Sequence, residues 1–253
     1  MSLNYQVFDE GELTSKSFRN KPVQSLNQLF ESPLVSALMV TRGKLDFVKR
    51  AIKLFENQSW LNKELIIISD NKNDEIMKLI NESNEKIQFH LAPNGLTLGN
   101  LRNISISVSK GEFICQWDDD DLYHRDRILS MMNVLRESNA DVAFLSQWLM
   151  YWISKKQLAL SSKRIWEGSV IMKRSASITY PSLKKGEDTI VVNHQIKKHK
   201  IALVHAPHLY TYCITGSNTW DVNHAERLFE NSQIYSPSEA DKIKRQLDYF
   251  SKI

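Results

Sequence analysis

The sequence lacks most of the features that place a chain outside ordinary globular proteins. Only two cysteines occur, Cys115 and Cys213. They are far apart and without metal-site spacing, which argues against a disulfide framework and a cysteine-based zinc site and fits a reducing compartment. No uninterrupted apolar run approaches the roughly 20 residues needed to span a bilayer, and no secretory pattern opens the chain. The expected setting is therefore cytoplasmic, with at most a peripheral contact to the inner face of the membrane. An excess of one charge sign is missing too: 33 Lys and Arg stand against 29 Asp and Glu, a net charge of +4. That imbalance is too small to indicate a nucleic-acid partner.

What is present is an alternating pattern. At 253 residues, 42% hydrophobic and 25% charged, the chain suits one sizeable core with a small appendage. Residues 1–33 read as a polar, irregular extension lying on the main domain. LVSALMVT (34–41), ELIIISD (64–70), IQFHLA (87–92) and EFICQW (112–117) are short apolar runs that suit buried strands. Between them, Leu45, Val48, Ile52 and Phe55 recur at helical spacing, with Lys49, Arg50 and Lys53 facing elsewhere. A second helix is expected after the polar loop NKND, through about residue 83. A third is expected with Leu98, Leu101, Ile104 (or Ser105) and Val108 inward and Gly111 as its stop. Strand and helix alternating at this spacing predict an α/β fold with a mainly parallel central sheet and helices on both faces.

In such sheets ligands gather outside the carboxyl ends of the strands. Asp70, the loop after Ala92 and the run Asp118 to Asp121 all fall there. Four adjacent carboxylates repel, so they need either full solvation or a counter-cation. Both readings of WDDDDLYH remain open on the residues alone. An EF-hand is excluded, because Tyr123 and Leu129 stand where that loop needs Gly and Glu. Mg²⁺ or Mn²⁺ would suit Asp118 and Asp120, whose Asp-x-Asp spacing lets both side chains point to one side.

Taken in order, VSALMVTRGKLDFVKRAI, ELIIISDNKND, NGLTLGNLRN, GEFICQWDDDD and GEDTIVVNHQI resemble the inverting family 2 glycosyltransferases, which have the GT-A nucleotide-diphospho-sugar transferase fold. The resemblance runs from about Leu34 to Asn218. It implies a nucleotide-sugar donor, by family frequency a UDP-sugar, and transfer of one sugar to a hydroxyl of a glycan or lipid-linked acceptor in cell-surface polysaccharide or glycoconjugate synthesis. It also implies a nucleotide-sugar site of Thr41, Asp70, Arg102, Asn103, Asp118 and Asp119, and Mn²⁺ or Mg²⁺ on Asp118 and Asp120. The family's paired acids after the second strand appear here as Ser69 and Asp70, so only Asp70 carries over. Asp188, in GEDT at the start of a helix running to about Lys198, matches the family's catalytic base. The alternative for Glu187 and Asp188 is a plain helix N-terminus, where acids complement the dipole.

Other functions compete less well. A sugar nucleotidyltransferase needs a Gly-rich, Arg-containing loop after the first strand, and MVTRGKLDF has one glycine. A non-catalytic nucleotide-sugar-binding module is opposed by intact Asp118, Asp120 and Asp188. Processive synthases are opposed by the lack of membrane helices and of a Gln-x-x-Arg-Trp signature. WEGSVIMKRS (166–175) resembles the segment lining donor sugar and acceptor, with Gly168 and Ser169 admitting close backbone approach. His205, His208 and His224 are read as structural, and Trp117 and Trp148 as packing residues. Lys184, Lys185, Lys197, Lys198 and Lys200 read either as a solvated basic surface or as attraction for an anionic acceptor or lipid leaflet. Residues 219–253 are expected to form a helical tail docked on the domain through Ile243, Leu247 and Phe250.

Overall fold

The apolar runs assemble into one large sheet. The computed structural model describes residues 3–12, 21–22, 32–83 and 86–252. Its strands are β1 (Asn4–Phe8), β2 (Lys21–Pro22), β3 (Val35–Val40), β4 (Lys63–Ser69), β5 (Ile87–Leu91), β6 (Phe113–Gln116), β7 (Leu122–Tyr123), β8 (Val142–Leu145), β9 (Leu149–Trp152), β10 (Gln157–Leu160), β11 (Ile171–Lys173), β12 (Ile201–His205), β13 (Tyr210–Ile214) and β14 (Gln233–Ile234). Its helices are α1 (Leu45–Glu56), α2 (Asp74–Asn81), α3 (Leu98–Val108), α4 (Arg127–Ser138), α5 (Glu187–Lys198), α6 (Val222–Glu230) and α7 (Pro237–Gln246). Nine strands pair in the order β2-β1-β12-β8-β11-β6-β3-β4-β5. Pairing is parallel through β6-β3-β4-β5 and between β12 and β8, whereas β11 runs antiparallel to both β6 and β8.

Side-chain alternation divides the core into two layers. Met39, Leu65 and Ile67 pack with Val48, Ala51 and Ile76 on the face covered by α1 and α2, where α4 adds Ile128 and Met131. Leu38, Ile66 and Ile68 point to the other face, against Leu101 of α3 and Val192 of α5. Strands buried on both sides need the near-continuous apolar runs seen in the sequence. Polar residues inside β3 and β4 are satisfied locally. Ser36 donates to Glu64 (2.6 Å), whose carboxylate also accepts the Lys110 N–H (2.6 Å). The Lys63 ammonium donates to the carbonyls of Gln58 and Glu56, and burial lowers its pKa to about 8.

The N-terminal segment differs from its expected irregular form. β1 pairs antiparallel along β12, with Tyr5 and Phe8 buried in the two opposite layers. Their odd spacing among polar residues hid a strand whose full-length partner lies about 200 residues away, as the pairs Asn4↔His205 and Phe8↔Ile201 show, with the short β2 on its other side. The remainder of that segment, residues 13–20 and 23–31, lies outside the described residues.

A second, five-stranded sheet, β14-β10-β9-β13-β7, was not expected. β9 and β10 form a hairpin, and β13 lies parallel to β9. After β14 come α7 and a final 3₁₀ turn, through which Leu247, Tyr249 and Phe250 join the core and Ile243 packs against it. No described helix is long and apolar enough to cross a membrane.

α3 keeps most of its expected face, with Ile104 and Val108 packed against the layer that holds Leu101, but it adds a charged residue to it. It buries Leu101, Arg102 and Ser105, leaving Leu98, Ile104 and Val108 half-buried, and it ends at Val108 rather than at Gly111. Gly111 serves close approach instead: a Cβ there would lie 2.5 Å from Ser36 Oγ and 2.6 Å from Ser36 N. Gly99 is tighter still, since a Cβ would sit 1.9 Å from the Pro181 carbonyl oxygen. This contact seats the 181–186 loop, and hence the start of α5, against α3. Gly99→Ala is expected to destabilise the fold by about 1–3 kcal/mol, as overpacking does. Urea denaturation checks this, and an unchanged midpoint would show that the loop yields freely.

Candidate active site

The end of β6 sorts its acids by environment. Trp117 turns inward and is fully buried, its ring 3.9 Å from that of Tyr123 and edge-on to Phe55. Tyr123 returns the phenol to the turn, accepting the Asp118 N–H (2.7 Å) and donating to the Asp118 carbonyl (3.0 Å). Asp121 also points inward: Tyr210 Oη donates to one oxygen and the Cys213 N–H to the other (2.8 Å). Burial first, then Asp120 and Asp118, push its pKa well up. The fourth acid thus links the turn to the second sheet; all four acids border the cleft, Asp118, Asp119 and Asp120 half-buried and Asp121 fully buried at its floor.

That cleft has a volume of about 440 Å³ and draws its walls from segments distant in sequence. Thr41 after β3, Asp70 after β4, Arg102 on α3, Asp118 to Asp120 after β6 and Asp188 at the start of α5 all line it. Thr41 Oγ1 donates to Asp119 and accepts the Gly43 N–H (3.0 Å), so the first strand's loop holds the acid turn. Ser69 is fully buried and bonds both the N–H and the carbonyl of Asn71, which makes the tight bend that carries Asp70. Its hydroxyl therefore explains locally why this position is not an acid.

Arg102 is the centre of the charge network. Nε donates to Glu187 at 2.8 Å, and a second nitrogen lies 3.5 Å from Asp118. Burial opposes its charge, but Asp118, Tyr180, Glu187 and Asp188 outweigh burial and raise its pKa. Both acids opening α5 border the cleft, but Glu187 is 1% exposed and paired to Arg102, whereas Asp188 is half-buried and, among the described residues, accepts only the Thr189 N–H (2.9 Å). A one-residue difference on the first helical turn thus separates a buried counter-ion from an accessible carboxylate.

Several expected residues are placed elsewhere. Asn103 lies off the cleft lining, because both ends of its amide are bound to the Tyr180 backbone (2.9 and 2.8 Å). In the 166–175 segment, Trp166 and Gly168 line the cleft, while Ser169 is buried and ties Leu145 to Trp166. Lys184 and Lys185 reach the cleft; Lys197 and Lys198 occupy the last turn of α5, at the far end of that helix, so the basic residues do not form one surface. The three histidines do not converge: His205 lies by Ser146, His208 by His124, and His224 behind Trp220. Periodicity also missed Arg50, which is half-buried and donates to the Asp120 carbonyl (2.9 Å), and Asn218, which donates to the Asp120 carboxylate (2.9 Å). Nothing in their local pattern distinguishes them from solvated residues, since their partners lie 70 and 98 positions away.

The residues fit a hard divalent cation that shares its coordination with a ligand. Among the described residues no group of three His, Cys, Asp or Glu forms a ready cage. Mg²⁺ in phosphate sites needs only one or two carboxylates, the remaining positions going to water and phosphate oxygens. Asp118 and Asp120 offer that donor set. Asp120 also has too little counter-charge: burial, then Asp119 and Asp118, push its carboxyl up to about 7, although Arg50 opposes them.

A sequence profile of glycosyl transferase family 2 matches residues 36–164. The chain belongs to that family. It is 28% identical over 126 residues to an uncharacterized glycosyltransferase of Methanocaldococcus jannaschii, covering 48% of this chain and 43% of that protein. It is 31% identical over 113 residues to the poly(ribitol-phosphate) beta-N-acetylglucosaminyltransferase TarP of Staphylococcus aureus, covering 43% of this chain and 35% of that protein. These matches span less than half of either relative. Two solved structures share the fold. Staphylococcus aureus TarS 1-349 in complex with UDP-GlcNAc has a TM-score of 0.59 at 16% identity, covering 84% of this chain and 65% of that one. The mannosyltransferase PcManGT from Pyrobaculum calidifontis, in complex with GDP-Man and Mn²⁺, has a TM-score of 0.59 at 12% identity, covering 82% and 63%. The family match covers the acid turn, while Asp188 lies beyond it.

The raised pKa of Asp120 has a sign that can be checked. Its folded value of about 7 lies above the unfolded carboxylate value, so its contribution to stability is present in acid and is lost as pH rises through about 7. A cation at the site displaces that proton. The gain in melting temperature on adding Mn²⁺ should therefore grow between about pH 6 and about pH 8, and Asp120→Asn should abolish the growth. A gain that is flat with pH in the wild type would place the cation elsewhere.

Proposed function

We propose that the protein is a metal-dependent inverting glycosyltransferase that moves one sugar from a nucleotide-diphosphate sugar, a UDP-sugar by preference, to a hydroxyl of a glycan or lipid-linked acceptor. The observation that carries this reading is the single cleft uniting Asp70, Arg102, Asp118, Asp120 and Asp188 from four separate segments. Thr41, Asp70, Arg102, Asp118 and Asp119 form the proposed nucleotide-sugar site, and Asp118 and Asp120 the cation ligands. The fold-sharing structures with UDP-GlcNAc and with GDP-Man and Mn²⁺ support a donor of this class.

The chemistry explains the residue types. Cleaving the bond from anomeric carbon to diphosphate builds negative charge on the leaving group, which a bound divalent cation stabilises. Asp188 takes the proton of the acceptor hydroxyl as its oxygen attacks from the face opposite the leaving group, so configuration inverts. Glu187 keeps Arg102 in place beside Asp118 and leaves Asp188 unpaired for that role. Trp166 and Trp220 line the cleft, adding aromatic surface of the kind that packs against sugars.

Calorimetric binding of UDP, GDP, CDP and dTDP, each with Mn²⁺ and with a chelator, tests the donor site. One nucleotide is expected to bind in a way that needs both the cation and Asp120, with Asp120→Ala removing it. Asp188→Asn should keep that binding while lowering transfer by about 10²–10⁴-fold, the range of a lost general base. Failure of every nucleotide to bind would overturn the reading.

A further inference from the structure

The strand that carries the acid turn ends in an amide. Gln116, the last residue of β6, is 6% exposed and borders the cleft together with Arg102 and Asp118. Its backbone is fixed from both sides, paired with Leu38 of β3 and donating its N–H to the Val170 carbonyl (3.3 Å). The side-chain Nε2 donates to Asp118 Oδ2 at 2.8 Å. The amide oxygen is buried and, among the described residues, accepts no hydrogen bond. An ionised carboxylate only accepts, so the NH₂ end must face Asp118 and the unmet oxygen has no choice of side.

Amides with a purely structural task look different in this chain. Asn103 is bound at both ends to the Tyr180 backbone. Gln58, also buried, donates to the carbonyls of Leu54 and His124 and accepts the Ile128 N–H. Each of these ties one stretch of backbone to another. Gln116 ties no backbone with its side chain; its one partner is a carboxylate of the cleft. An unmet buried acceptor opposes folding, and the group that gains from the arrangement is Asp118.

The two oxygens of Asp118 are therefore held unlike one another. Oδ2 has the close neutral donor, while Oδ1 has only the longer contact to Arg102 at 3.5 Å, whose nearer bond goes to Glu187 (2.8 Å). We propose that Gln116 is a positioning residue that pins Oδ2 and leaves Oδ1 as the single oxygen Asp118 gives to the cation, so that the site favours a small octahedral ion over Ca²⁺. This deepens the proposed transferase function and rests on its cation ligands, Asp118 and Asp120. Ions of the size of Mg²⁺ need near-ideal octahedral geometry, whereas Ca²⁺ takes about 6–8 oxygens and accepts a carboxylate through both at once. A freely turning Asp118 could offer both oxygens. A pinned one cannot do so without breaking its bond to Gln116, and the groups bonded to a ligand set its orientation.

The test reads Mn²⁺ binding from the EPR signal of the free ion, and Ca²⁺ binding by competition, in the wild type and in Gln116→Met. Methionine matches glutamine in length and removes the donor and the unmet acceptor together, so the cation-free melting temperature should stay close to that of the wild type. The Mn²⁺ dissociation constant should rise about tenfold or more, the range for a lost ligand-orienting partner. The Ca²⁺ constant should rise less, so the preference for Mn²⁺ narrows. Gln116→Asn, whose amide is too short to reach Asp118, should act in the same way and serves if Gln116→Met does not fold. Gln195→Met alters another buried amide with an unpartnered oxygen, off the cleft lining, and should leave both constants unchanged. UDP is titrated in parallel with Mn²⁺ present. Mn²⁺ binding that depends on Gln116 without any binding of the nucleotide supports the assignment and removes the transferase reading. An unchanged Mn²⁺ constant in the Gln116 variants overturns the assignment alone. Equal losses of Mn²⁺ and Ca²⁺ affinity with a lowered melting temperature also overturn it, and a wild type that binds no Mn²⁺ overturns it together with the cation site.

Discussion

The fold around the cleft depends on how four consecutive carboxylates avoid one another at the end of β6. Adjacent acids of one sign cannot all share one dry environment. The chain resolves this by burying Asp121 under donors from Tyr210 and the Cys213 N–H, while the other three stay half-buried at the cleft. That inward carboxylate fastens β7 and β13, and through them the second sheet, to the carboxyl edge of the first. Buried Arg127 stands on the inner side of the same turn. Its guanidinium is surrounded by the rings of Tyr123 (4.6 Å), Trp117 and Tyr210 (5.4 Å each), and donates to the Gly168 carbonyl (3.3 Å). A cation held by ring faces, with no carboxylate paired to it among the described residues, lies where the field of the acid turn favours it.

This arrangement makes the second sheet part of the site rather than an accessory. Asn218, just after β13, binds the Asp120 carboxylate and also the Cys213 carbonyl (2.8 Å). Arg50 on α1 fixes the Asp120 carbonyl from the other side. Asp120 is therefore oriented by two groups from different layers, and Asp119 by Thr41 from a third segment. Such bracing is what a cation site made of few protein ligands requires, because ligand orientation is set by the groups bound to the ligands.

The sequence made some of this legible and hid the rest for identifiable reasons. β3, β4, β5 and β6 announce themselves as apolar runs because burial on both faces is a local property of the chain. The position of the acids at a strand end was legible for the same reason, since it needs only the order of neighbours. What resisted reading depends on partners far away. β1 pairs along its whole length with the distant β12, and β9, β10 and β13 are four or five residues long with no period to reveal a second sheet. Arg102 breaks the apolar face of α3, so periodicity gives no reason for it to be buried; the buried Glu187, 85 positions later, is what brings it in. Likewise nothing within WDDDDLYH marks Asp121 as the acid that turns inward, because the deciding donors belong to β13.

Arg102 also sets a limit on what mutation there can mean. It touches Asp118 on one side and Glu187 on the other, so it fixes the acid turn relative to the start of α5. Replacing it leaves Glu187 as an uncompensated buried charge, a situation that costs about 3–5 kcal/mol when a buried pair is broken from one side. The loss would reach Asp188 through its neighbour and Asp118 through its released carboxylate together. A drop in activity on removing Arg102 therefore cannot by itself assign it to nucleotide contact. Pairing that change with Glu187→Gln separates the roles: a positioning residue loses most of its effect once its buried partner is neutral, while a ligand contact keeps it.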